Sequence, residues 1–87
     1  MSIGKSGLSW DELDALLTSM EELQLAKVFD LARRLVPHLT LEDLRNPHDF
    51  PGLDDPDWHY ADGVLTGIQA VGSALRARRR DESGETP

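Results

Sequence analysis

The chain has 87 residues, no cysteine, and nine Lys plus Arg against sixteen Asp plus Glu, giving a formal net charge of −7 and a pI near 4.7. That length suits one small domain, and the missing cysteines exclude disulfide scaffolds, thiolate catalysis and Cys-ligated zinc. The acidic balance argues against a nucleic-acid partner, because affinity for the phosphate backbone comes mainly from Lys and Arg.

No apolar run approaches the roughly 20 residues that cross a bilayer, and the first residues lack the apolar core of a secretory signal. A cytoplasmic protein with no membrane partner is the expectation. Apolar residues make up 39% of the chain, enough to fold despite the charge. Size works against stability, since a domain this small buries only about 60% of its unfolded surface. A second subunit is a natural supplement.

Residues 1–8 hold two glycines, two serines and no apolar period, and read as a flexible N-terminus. Residues 9–80 form the domain, and the polar residues 81–87 read as a disordered tail. Within the domain, all-α structure is expected: a small helical bundle of two or three N-terminal helical segments, a proline-rich packed connection and a long C-terminal helix.

The first helix starts at Ser9, where Ser9 and Glu12 have the spacing of a capping box. Trp10, Leu13, Leu16, Leu17 and Met20 recur at intervals of three and four. The second series, Leu25, Val28, Phe29, Ala32 and Val36, is out of phase with the first. Ser19 and Glu22 repeat the capping-box spacing, so the pattern favours a break near Thr18 and Ser19 over one long helix with a wide apolar face. Pro37 ends the unit, because a residue before proline disfavours helical geometry.

Residues 37–56 hold four prolines, at 37, 47, 51 and 56. Thr40 to Arg45 reads as a short helical turn capped by Thr40. Leu39, Leu41, Leu44, Phe50 and Leu53 give the connection five apolar anchors, so it is expected to pack across the helices.

The last helix, capped by Asp57 or by Asp55 ahead of it, carries a heptad seam: Trp58, Ala61, Leu65, Ile68, Gly72 and Leu75. Tyr60, Val64, Val71 and Ala74 widen the apolar surface to one side. An arc this wide usually meets more than one partner. Gly63, Gly67 and Gly72 each cost about 1 kcal/mol relative to Ala inside a helix. Gly63 and Gly67, four apart, make a low side that lets another backbone approach. Its occupant is the preceding helix of the same chain or the same helix of a second subunit; a helix break near Gly63 is the third option.

Chemistry-bearing constellations are sparse. Gly4-Lys5-Ser6 lacks the upstream glycine of a phosphate loop, and no G-x-S-x-G elbow occurs. His38 is placed to cap free carbonyls after Pro37. Residues 40–63 concentrate the acidity, with Glu42, Asp43, Asp49, Asp54, Asp55, Asp57 and Asp62 against Arg45 alone. His48, Asp55, His59 and Asp62 are chemically suitable ligands for a divalent metal, the one cofactor the sequence suggests. They match neither a calcium loop nor H-E-x-x-H, and helix caps with a solvated acidic face account for them as well. Arg76, Arg78, Arg79 and Arg80 suit the negative end of the helix dipole. They could also dock onto acidic protein, including the 40–63 segment of a second copy.

The expectation is a non-enzymatic, self-associating interaction module, a dimer built through its C-terminal helix. Its interface or core anchors are Trp58, Ala61, Val64, Leu65, Gly67, Ile68, Val71 and Leu75. The alternative is a divalent-metal site in 48–62.

Overall fold

The computed structural model describes residues 7–82 and is all-α, with no strand among the described residues. Helix α1 spans Trp10–Leu35 and α2 spans Pro56–Glu82. Three single 3-10 turns, Asp43–Arg45, Pro47–Asp49 and Pro51–Leu53, join them. Most of residues 1–8 and 81–87 lie outside the described residues, but Asp81 and Glu82 belong to α2, which runs two residues past its expected end.

The capping box forms as its spacing predicts. The Ser9 hydroxyl accepts from the Glu12 amide at 3.1 Å, and the Glu12 carboxylate accepts from the Ser9 amide at 3.2 Å. The break near Thr18 and Ser19 does not occur, and α1 is continuous through both series. The phase slip has a different cause. Val28 and Ala32 of the second series are buried, whereas in the first Trp10, Leu13 and Leu17 are half-buried and Leu16 and Met20 exposed, so the two series together make one wide apolar face on a single helix.

Helix α1 ends where Val36 leaves helical geometry ahead of Pro37. The Leu39 amide then donates to the Val36 carbonyl at 3.3 Å, with Pro37 and His38 at the corner and His38 at φ 73°. Proline followed by a positive φ is the arrangement of a type II turn. His38 therefore reverses the chain by its backbone, and its imidazole is exposed.

The connection is organised by short-range caps. Thr40 and Asp43 cap each other reciprocally, at 2.9 and 3.2 Å. Pro47 and Pro51 each open a 3-10 turn, where a missing amide costs nothing. At Gly52 an added Cβ would lie 3.0 Å from Val36 Cγ2, so the chain passes α1 where only glycine fits without adjustment. Asp55, not Asp57, caps α2: its Oδ1 accepts from the amides of Asp57 and Trp58 at 3.0 and 3.1 Å.

The helices run antiparallel. Gln24 donates to the Ala61 carbonyl, Gln69 to Glu21, Arg76 to Asp14 and Arg79 to Asp11, so numbers fall along α1 as they rise along α2. The fully packed core is small and lies at the connection end. It consists of Val28, Ala32, Leu39, Leu53, Trp58 and Leu65, with Phe29, Leu35, Val36, Leu44, Phe50 and Ala61 around it.

The radius of gyration is 16.5 Å, against about 12 Å for a compact domain of this length. The extents are 47 × 29 × 19 Å. A hairpin of two helices is a single layer, and a domain ordinarily needs two to cover its apolar surface. Only the connection supplies part of a second.

Candidate functional site

Helix α2 carries two apolar seams. The inward one holds Trp58, Leu65 and Gly72, all buried, with Ala61, Ile68 and Leu75 half-buried between them. Trp58 and Leu65 belong to the core of their own chain and are not available to a partner. Of the residues expected as interface or core anchors, these two take the core role. The outward seam reads Tyr60, Val64, Gly67, Val71 and Ala74, at spacings of 4, 3, 4 and 3. Tyr60 is 77% exposed and Val71 52%; Gly67 and Ala74 are exposed, and Val64 is half-buried.

The outward glycines do not pack against α1. A Cβ built on Gly63 or Gly67 meets nothing within 4 Å, and α2 is unbroken there. Close packing within the chain and a break near Gly63 are both ruled out. Gly72 differs: it is buried, and a Cβ there would lie 3.3 Å from the Arg76 guanidinium.

The exposed apolar residues of the two helices share one broad face of the hairpin. Arg76 meets Asp14 at 3.2 Å and Gln69 meets Glu21 at 3.3 Å within the seam between the helices. At 100° per residue, Leu25 of α1 lies about 60° to one side of Val28, Asp62 of α2 lies about 60° to the same rotational side of Leu65, and both line one groove. The opposite rotational sides therefore also coincide. That side carries Leu16, Met20 and Leu23 from α1 and Tyr60, Val64, Gly67 and Val71 from α2. Leu23 is 67% exposed. The connection covers part of the other broad face, where Leu41 and Leu44 form a groove with Leu25, Asp62 and Gln69.

The His/Asp segment stays dispersed. Asp55 gives its carboxylate to backbone amides, and His59 Nε2 lies 3.0 Å from Asp54 Oδ1 in an exposed pair. His48, His59 and Asp62 line an open cavity of about 490 Å³ together with Phe50, Leu53 and Trp58. Among the described residues, no group of three or more His, Cys, Asp or Glu side chains is placed to hold a metal ion. The Trp58 and His59 rings meet in a T-shaped arrangement, 5.4 Å between centroids. The indole Nε1 of Trp58 is buried without a hydrogen-bond partner among the described residues.

The arginines at the end of α2 are divided. Arg76 and Arg79 reach across the hairpin to Asp14 and Asp11, at 3.2 and 2.7 Å, while Arg78 pairs with Glu82 one turn along at 3.3 Å. Arg76 and Arg79 thus serve the chain's own α1 and not a distant acidic segment. These exposed pairs are individually weak, about 0 to 1 kcal/mol each. Their value is registry.

Sequence patterning located the outward stripe of α2 but missed its continuation onto Leu16, Met20 and Leu23. Leu16 and Met20 stand in the first apolar series of α1 and Leu23 in neither. The signal was the phase slip itself, since two out-of-phase series on one continuous helix make a wide apolar face. In comparisons with known proteins, no family model, no curated protein and no solved structure matches this chain.

Proposed function

We propose that this protein is a helical-hairpin interaction module that self-associates through the broad face shared by α1 and α2. The observation that carries this reading is the exposed stripe of Tyr60, Gly67 and Val71 beside Leu16, Met20 and Leu23, with open space over both Gly63 and Gly67. Large apolar residues gathered on one face are costly in water, and contiguous patches of this kind mark interaction sites. The single-layer architecture supports the same reading, because a second hairpin provides the missing layer.

Gly63 and Gly67 also weaken α2 with no compensation inside the chain. A close approach by another backbone gives them a use. A residue with a long apolar side chain at Gly67 would hold that backbone away.

Sedimentation velocity across a micromolar concentration series tests the reading. The wild-type chain is expected to shift from monomer to dimer. Val71→Arg is expected to stay monomeric with unchanged helical circular dichroism, because position 71 is half exposed and outside the core. A wild-type chain that remains monomeric throughout the series removes the reading.

A further inference from the structure

We infer that the partner on this face is a second copy of the chain, docked antiparallel about a two-fold axis that passes beside Gly67. This rests on self-association through the open face and adds its orientation. The stripe extends at heptad spacing into a charged residue at each end: Asp57, Tyr60, Val64, Gly67, Val71, Ala74, Arg78. It is nearly symmetric about Gly67. Asp57 lies ten residues before Gly67 and Arg78 eleven after. Tyr60 and Ala74 lie seven to either side, and Val64 and Val71 three and four.

An antiparallel copy therefore sets Asp57 near Arg78 of the second copy, and Arg78 near its Asp57. The mismatch is one residue, about 1.5 Å of helix rise. The large Tyr60 ring meets the small Ala74, valines meet valines, and glycine meets glycine where the axes cross. A parallel copy sets Asp57 against Asp57, Arg78 against Arg78 and Tyr60 against Tyr60. Like charges in register oppose it, so the charge pattern selects the antiparallel form. Asp57 is exposed, and among the described residues Arg78 pairs with Glu82 in an exposed contact, so both are accessible for exchange.

On helix α1 the exposed residues Leu16, Met20 and Leu23 lie on the same side of the hairpin. The level of Met20 and Leu23 is the one that faces Gly67, because Glu21 meets Gln69 and Gln24 meets Ala61 across the hairpin. One axis, lying in the face and perpendicular to the helices, thus serves both. It stacks α2 on α2 and α1 on α1, each pair antiparallel. An isologous interface requires self-complementarity, and the α2 stripe supplies it.

The native chain has no cysteine, so single cysteines introduced on the polar side of α2 give unique labels. Nitroxide-labelled Thr66→Cys and Asp81→Cys proteins, each shown by circular dichroism to be folded and by sedimentation to be dimeric, are compared by pulsed dipolar spectroscopy. Asp81 lies fourteen residues from Gly67, so antiparallel docking separates the two labels by about 42 Å along the axis. Labels at Thr66 stay within about 20 Å, set by the interaxial distance plus tethers. A short distance at both positions means parallel docking and overturns the orientation while leaving self-association standing. Monomer at every concentration overturns both.

A charge exchange reads the same geometry without labels. Asp57→Arg is expected to weaken dimerisation about tenfold, and adding Arg78→Asp to restore it, since each dimer contains two such pairs. A dimer for which the double variant binds no better than Asp57→Arg alone overturns the inferred register.

Discussion

The two seams of α2 have nearly the same composition rule and opposite fates. Trp58, Ala61, Leu65, Ile68, Gly72 and Leu75 face α1 and the connection, and the first of them is only 2% exposed. Tyr60, Val64, Gly67, Val71 and Ala74 repeat the same heptad spacing a third of a turn away, and apart from the half-buried Val64 they are exposed. The comparison teaches that periodicity identifies a face without saying what covers it. The inward seam acquires its partners from α1 and from Leu39 and Leu53, which the prolines fold back onto the end of the hairpin. The outward seam has no such supply, because the connection is already committed to the opposite face.

That contrast can be broken most severely at Trp58. Trp58→Ala removes the largest core side chain and is expected to cost about 3 to 5 kcal/mol. A domain with a total stability of about 5 to 10 kcal/mol loses much of its fold. Loss of cooperative thermal unfolding followed by circular dichroism is the readout. A melt unchanged from wild type would place Trp58 outside the core.

The glycines sharpen the contrast with smaller effects. Gly63→Ala and Gly67→Ala should each stabilise the isolated monomer by about 1 kcal/mol, since the added methyl enters open space. The measurement is the melting temperature at high dilution. Gly67→Ala should at the same time weaken self-association, and Gly63→Ala, about 40° further round the helix, should weaken it less. Gly72→Ala should gain less than either, because its methyl must displace the Arg76 guanidinium.

The smallest expected effect lies at the turn that aims the connection. His38 holds φ 73°, which a side chain other than Gly, Asn or Asp adopts at some cost. His38→Asn should stabilise by about 0.5 kcal/mol, because Asn tolerates the left-handed region without the chain-entropy cost of glycine. A urea midpoint that moves down instead would show that the imidazole contributes a contact of its own.

Both long helices were legible along most of their length because their signals are local. Ser9 with Glu12, Pro37, Pro56 and the heptad of the inward seam each act within a few residues, and each forms as its spacing predicts. The candidate surface was legible only in part. Its α2 half followed from Val64, Gly67 and Val71, but Trp58 and Leu65, grouped with them, went to the core. The α1 half was hidden, since the out-of-phase series fit a broken helix or one long helix with a wide apolar face. The His/Asp segment was ambiguous for a similar reason. Asp55 next to Pro56 suits a helix cap as well as a metal ligand, and its contact with the Asp57 and Trp58 amides selects the cap.

The sequence by itself determined the helical class, the start and stop of α1, the start of α2 to within two residues, and the concentration of acidic charge in residues 40–63. It did so because capping, proline geometry and 3.6-residue periodicity are short-range effects. Only the tertiary structure decided that α1 is unbroken and that Arg76 and Arg79 turn to Asp14 and Asp11. Only it decided that Gly63 and Gly67 face away from their own chain. Those outcomes depend on which rotational side of each helix meets the other. That choice is made by packing Trp58, Leu65, Val28 and Ala32 together across a 38-residue span of chain, not by any local preference.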